Sequence, residues 1–337
     1  MNKTRLLTFI VVVFLFLFSA CKKDVEPTVN TTLAMGTVIT QSVYGEDVEG
    51  TISKVTKLVN DLDTKRLSWR IEGSEIYNIN KTGEAEVSKV VLDCIQTCLE
   101  ISKDTDNLFD ITVGNLTNLW GIGTENAKLP TEKEIENAIK NIDASRISIN
   151  GNTIKVAEGQ NLDLGAVGKG LACDEIKFLL DSESSFIPGG IFSVGGSILL
   201  YGENPNTKNG TFNVGIRNPY GTENDSMGII TCKKVCVSTS GDYEKILTVD
   251  GKNYHHILNP KTGYPAESNI TGVTVVSESG VLSDALSTAC FILGYGDKSK
   301  ELLSKYNSSA VFIMKDRKVH TFGNIEFKII DDSFKMG

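Results

Sequence analysis

The stretch SDALSTACFILG, residues 283–294, constrains this chain more than any other. On a helical projection Leu286, Cys290 and Leu293 share one side, and Ala285, Phe291 and Ile292 carry the apolar surface almost all the way round. Such a helix is stable only where neighbouring elements cover it on nearly every side. Ser283 is predicted to cap its start and Gly294 to end it. Asp284 and Thr288 fall about 40° apart around the axis, so their oxygens share one face. A carboxylate buried there is costly unless paired. Either Asp284 helps Ser283 to cap the helix, or it meets a hard cation held by oxygen ligands alone, Mg²⁺ or Ca²⁺ rather than zinc.

A chain of 337 residues, 40% of them hydrophobic, has room for the core that such a helix needs, in one large domain or two small ones. Its net charge of −8 excludes the basic stripe on which sequence-independent nucleic-acid binding depends. At the N-terminus Lys3 and Arg5 precede an apolar run, Leu6 to Phe18, and then Ser19-Ala20-Cys21. This is a secretory signal with small residues at its cleavage point, and it resembles a bacterial lipobox in which Cys21 is lipidated. Residues 1–20 are therefore expected to be a lipoprotein signal peptide and 21–32 a tether. The domain would then be lipid-anchored at Cys21 in the cell envelope of a bacterium, facing the periplasm or the exterior. No later apolar run approaches the roughly 18 residues that span a bilayer. The six remaining cysteines permit disulfides in an oxidising compartment, but Cys94 with Cys98 on one helix and Cys232 with Cys236 in a strand are badly placed to pair, none has zinc-finger spacing, and the six read as small buried hydrophobes.

Helices are predicted over 50–62, 87–103, 168–180 and 283–293 from apolar spacing. Another opens at Thr131, which forms a capping box with Glu134. A strand is expected over 37–44, a hairpin over 147–156 around Asn150-Gly151-Asn152, and short strands through most of 192–276. Closing strands are expected at 310–314, 318–322 and 326–330. Helices and strands do not alternate regularly. The fold class is therefore α+β, with mostly antiparallel sheets and packed helices. No linker interrupts residues 33–331, the span assigned to the folded domain.

Three segments carry chemistry. In LDLGAVGKG, residues 162–170, a short strand runs into a Gly-rich turn that opens a helix. Backbone N–H groups and Lys169 would meet there, an arrangement suited to phosphate. The spacing matches neither a P-loop nor a dinucleotide fingerprint. Asp163 either caps the turn or binds a ribose or base edge. The helix at 283–294 supplies Asp284 and Thr288. The third segment, residues 237–266, holds the adjacent His255 and His256. In a strand these point to opposite faces, so one can be structural while the other faces a cleft. Asn259-Pro260-Lys261-Thr262-Gly263 is a rigid loop beside them.

In order, Met35-Gly36-Thr37, SWRIEGSEIYNIN (68–80), FDITVGNLTNLWG (109–121), LDLGAVGKGLACD (162–174), SVGGSILLYG (193–202), GIRNP (215–219), STSGDY (238–243), YHHILNPKTGYP (254–265) and SDALSTA (283–289) run through nearly all of residues 33–322. As a set they resemble the ApbE family, the FAD:protein FMN transferases. The resemblance implies a central FAD cleft and an enzyme that splits FAD, joins FMN to a Ser or Thr hydroxyl through a phosphoester, and releases AMP. It implies acceptor flavoprotein subunits of membrane redox complexes as partners. It also implies Mg²⁺ held by Asp284, Thr288 and the carbonyl of Ala166, with Ser287 beside them. FAD would lie against Met35, Trp69, Leu108, Phe109, Asp110, Asp163, Lys169 and Ile257, and His256 would be the catalytic residue. Two positions depart from the family pattern: Asn115 stands in place of a usual Pro, and Asn259 in place of a usual Asp near His256. The same pocket would serve an FAD pyrophosphatase giving FMN and AMP, or a non-catalytic FAD-binding lipoprotein.

Overall fold

The computed structural model describes residues 24–182 and 187–337. Residues 1–20, expected to be a signal peptide, and Cys21 lie outside the described residues. In chain order the first half contains β1 (Thr28–Ala34), β2 (Thr37–Tyr44), α1 (Glu49–Leu62), α2 (Glu75–Thr82), β3 (Glu84–Glu86), α3 (Lys89–Asp104), α4 (Gly114–Trp120), α5 (Glu132–Ile139), β4 (Ser148–Asn150), β5 (Thr153–Lys155) and α6 (Gly168–Ser182). Then come β6 (Gly189–Val194), β7 (Ser197–Gly202), β8 (Phe212–Arg217), β9 (Ser226–Cys232), β10 (Cys236–Gly241), β11 (Ile246–Val249), β12 (Lys252–His255) and β13 (Ile270–Ser277). The chain closes with α7 (Gly280–Leu293), α8 (Asp297–Lys305), β14 (Ser309–Met314), β15 (Lys318–Phe322), β16 (Glu326–Ile329) and β17 (Lys335–Met336).

A nine-stranded sheet, ordered β1-β2-β6-β7-β10-β13-β14-β15-β17, is the frame. Its pairs are antiparallel except β15 with β17. One face carries α6 and α7. On the other, Ile216, Met227 and Ile230 from the three-stranded sheet β16-β9-β8 pack against Val311, Ile313 and Val319. The strand alternation of β10 shows how the sequence serves both layers. Ser238 and Ser240 point at α7, whereas Val237 joins the apolar layer between the sheets.

The capping box at α5 forms as expected, with Thr131 Oγ1 accepting from Glu134 N at 3.3 Å and Glu134 Oε2 accepting from Thr131 N at 2.8 Å. The hairpin of β4 and β5 also forms. Three expectations are corrected. Residues 28–32, expected to be tether, belong to edge strand β1, paired along its length with β2. Its apolar residues Val29 and Leu33 point to solvent, so no inward apolar alternation marked it. The folded part also runs past 331, because Lys335 and Met336 pair with Lys318 and Val319. Finally, α7 begins three residues before Ser283. Its cap is Ser279, whose hydroxyl accepts from Leu282 N at 3.3 Å, while Ser283 donates to Gly280 O inside the first turn. Gly294 ends the helix as expected.

Candidate active site

The segment 162–170 is the hub of the site. Asp163 N donates to Ile111 O at 2.8 Å, which ties the 109–111 segment to it. Asp163 Oδ1 accepts from Gly165 N and Oδ2 from the Thr117 hydroxyl, each at 2.7 Å. Asp163 therefore caps the Gly-rich turn and holds α4 against it. Helix α6 starts at Gly168, and the Met35 methyl lies 3.4 Å from where a Cβ on Gly168 would stand. Met35 and Gly36 form the two-residue turn between β1 and β2, with φ of +54° and +67°. Positive φ at both positions is what a type I′ hairpin needs, and it is uncommon for a Met. Asp63 Oδ2 fixes that turn by accepting from Met35 N at 2.7 Å.

Helix α7 meets this hub at Asp284, which is 4% exposed. Its Oδ2 accepts from Gly170 N at 2.6 Å and its Oδ1 from the Ser197 hydroxyl at 2.5 Å. Gly170 is in the first turn of α6, where its N–H would ordinarily return to the carbonyl of Ala166. It goes to Asp284 instead, and among the described residues no hydrogen bond reaches the Ala166 carbonyl. The crossing is possible because α6 and α7 touch backbone to backbone. A Cβ on Gly170 would stand 2.0 Å from Gly280 O, and one on Gly280 2.1 Å from Gly170 O. Thr288 lies half-buried one turn on, 3.4 Å from the Ser240 hydroxyl. Ser287 is committed elsewhere: it donates to Asp284 O and bonds Ser240 Oγ, both at 2.8 Å.

The two histidines have different surroundings, with His255 the last residue of β12 and His256 just beyond it. His255 is structural. Its Nδ1 accepts from Ile257 N at 3.3 Å, which leaves Nε2 to donate to Ala266 O at 3.1 Å, and its ring meets Phe291 edge-on. His256 continues the β11–β12 ladder by donating from its N–H to Lys245 O at 3.2 Å. Its Nδ1 is enclosed and has no hydrogen-bond partner. Burial pushes the imidazole down to about 3, with Lys245, Lys169 and His255 adding repulsion. The ring is therefore neutral around pH 7, and the same burial and positive neighbours oppose its protonation. Burial, with Lys169 and Arg70, also lowers the Lys245 ammonium. Lys169 itself has no ion pair or side-chain hydrogen bond among the described residues.

The other expected contact residues are held in different ways. Arg70 covers the Trp69 ring, with its guanidinium carbon 4.3 Å from the centroid. Leu108 is half-buried, while Phe109 and Ile257 are core residues, 2% and 6% exposed. Asp110 is a turn cap: Oδ1 accepts from Thr112 N and Oγ1, and Oδ2 from Ala144 N at 2.9 Å. Burial raises its carboxyl and these bonds oppose that rise. Asn115 bridges Gly159 O and Asn161, and Asn259 caps its loop by accepting from Lys261 N at 2.9 Å. Ser197 and Lys245 were not singled out from the sequence, and Gly170 only as one amide of the Gly-rich turn. Ser197 and Gly170 reach Asp284 across 87 and 114 residues, a distance over which no local pattern reports.

The Asp284 carboxylate, held by two donors with lone pairs to spare, reaches the first turn of α6, beside which the Ala166 carbonyl is unbonded, and Thr288 follows one turn on along α7. One carboxylate with neutral oxygens suits Mg²⁺ completed by substrate phosphates. Among the described residues no cluster of three or more His, Cys, Asp or Glu competes as a metal site. All six cysteines described are free.

Residues 35–313 match the model of the ApbE family. The FAD:protein FMN transferase of Treponema pallidum is 30% identical over 329 residues, covering 90% of this chain and 89% of its own. The crystal structure of the ApbE protein of Thermotoga maritima superposes with a TM-score of 0.79 at 28% identity, covering 89% of this chain and 96% of that one. The Pseudomonas stutzeri flavinyl transferase ApbE, in its apo form, gives 0.75 at 25% identity, covering 89% and 95%. With these likenesses across its length, the chain belongs to the ApbE family.

Proposed function

We propose that this protein is an FAD:protein FMN transferase, moving FMN from FAD to a Ser or Thr hydroxyl of an acceptor flavoprotein. The observation that carries the reading is the bond from Gly170 N to Asp284, which brings that carboxylate to the turn holding Lys169 and the unbonded Ala166 carbonyl. Phosphoryl transfer asks mainly for positioning and charge neutralisation. Mg²⁺ bound by Asp284, Thr288 and the Ala166 carbonyl would supply Lewis-acid stabilisation of the diphosphate. Lys169 and the N-terminus of α6 add positive potential for the phosphates. Trp69 offers a ring for stacking on flavin or adenine, and Met35, Leu108, Phe109 and Ile257 provide apolar wall. His256 takes the proton of the acceptor hydroxyl as its oxygen bonds to the FMN phosphorus. The bond from that phosphorus to the bridging oxygen breaks, and AMP leaves with the electron pair. Positioned bases of this kind contribute roughly 10²–10⁴-fold.

We also infer that the domain is tethered to a membrane through lipidated Cys21, within reach of redox-complex subunits. In support, Val25 is clasped by Asn206 through bonds of 2.7 and 2.9 Å, so the tether leaves the domain at a fixed place.

The test combines the full chain in detergent with FAD, Mg²⁺ and a candidate acceptor from the same organism. A fluorescent acceptor band with AMP, both lost on chelation, is expected. FMN and AMP without a band would instead identify a pyrophosphatase.

A further inference from the structure

Asp174 lies on α6 one turn beyond Gly170 and belongs to none of the roles assigned above. Its carboxylate takes the whole start of α7: Oδ1 accepts from Gly280 N at 2.6 Å, and Oδ2 from the Ser279 hydroxyl at 2.8 Å and Val281 N at 2.9 Å. Helix α7 already has its own cap in Ser279. The Asp174 contacts therefore join two helices 105 to 107 residues apart in sequence rather than ending one of them. They sit beside the Gly170–Gly280 backbone contact, and one turn of α7 separates them from Asp284. A carboxylate at a helix N-terminus is stabilised by the N–H groups it meets. Burial raises the Asp174 carboxyl, and the three donors counter that rise.

We propose that Asp174 is a positioning residue for the cation site: by gripping the first turn of α7 it holds that helix on α6 at the separation where Gly170 donates to Asp284 and the Ala166 carbonyl stays open. The inference rests on the cation site proposed above. If α7 slides outward, the Gly170 N–H falls back to Ala166 O, its ordinary helical acceptor. Two of the three cation oxygens then change together, one losing its donor and the other gaining one.

The test uses the full chain in detergent, with Mn²⁺ as the probe, read by electron paramagnetic resonance without FAD or turnover. Asp174→Asn keeps the shape but sets an amide N–H₂ against a backbone N–H. It is expected to raise the Mn²⁺ dissociation constant about 10–100-fold, the usual cost of disturbing groups that orient metal ligands. FAD binding in chelator should be unchanged, and kcat should recover at saturating Mg²⁺. Ser279→Ala, which removes one contact, should move Mn²⁺ affinity the same way by less. Wild-type Mn²⁺ affinity in Asp174→Asn overturns the proposal and leaves the cation site standing. Loss of Mn²⁺ and FAD binding together with thermal stability also overturns it, by making Asp174 a general structural cap. A wild-type chain that takes up no Mn²⁺ removes the cation site and this role with it.

Discussion

Gly280→Ala is a direct probe of the seam between α6 and α7. The new methyl would stand 2.1 Å from the Gly170 carbonyl oxygen, whereas ordinary contact begins at 3.4 Å. The obstacle is backbone, so the helices must part by about 1 Å. The Gly170–Asp284 bond, now 2.6 Å, then stretches past hydrogen-bonding reach. Losing a bond to a buried charge costs about 1.5–3 kcal/mol, and forcing a methyl into a packed contact about 1–3 kcal/mol more. The total of about 2.5–6 kcal/mol corresponds, at about 2.1 cal/mol/K per residue, to a Tm lower by about 4–9 °C in a domain of this size. Calorimetry of the variant beside Gly296→Ala reads this. Gly296 has open space around it and an extended φ, so its Ala should match wild type. A Gly280→Ala Tm equal to that of the control would refute the reasoning, because it would mean that the two backbones do not need to touch.

Asp284→Ala should abolish Mg²⁺-dependent turnover, and unchanged turnover would remove it from the cation site. His256→Ala should lower kcat by about 10²–10⁴-fold with little change in FAD affinity; lost affinity with normal kcat at saturation would deny it the base role. Because the His256 imidazole is held near 3 in the fold, well below the ordinary 6.5, the native state binds fewer protons than the unfolded chain between those values. Stability should therefore fall as pH drops from 6.5 towards 3, more steeply than in His256→Gln; parallel denaturation profiles would show that the ring is not buried in this way. A thiol reagent should find native Cys232 sluggish, since burial pushes its thiol up to about 11, and the five more deeply buried cysteines silent until denaturant is added. Fast reaction of several native thiols would contradict this packing.

Much of this molecule was legible in the sequence because the relevant signals are local. Amphipathic spacing marked α1, α3 and α6, and the Thr131–Glu134 pair marked the start of α5. Alternation said only that His255 and His256 differ in surroundings, and it was the family resemblance that singled out His256. The start of α7 was misplaced because Gly280 looks like a breaker and Ser283 like a cap, although the packed Gly170–Gly280 crossing requires a glycine inside the helix. Strand β1 was missed because its apolar side chains face outward. The sheet order, in which β7 lies beside β10 and β2 beside β6, depends on pairings far apart in the chain. The same holds for Ser197, Gly170 and Asp174 around Asp284. Their side chains and amides are ordinary in sequence, and gain their roles only where two helices and a strand cross.

Transfer itself is tested most directly by mass spectrometry of the acceptor after incubation with this protein, FAD and Mg²⁺. The expected result is a single Ser- or Thr-bearing peptide carrying FMN through a phosphoester, formed in step with AMP and absent with Asp284→Ala. An unmodified acceptor with free FMN and AMP accumulating, or with FAD bound and intact, would contradict it.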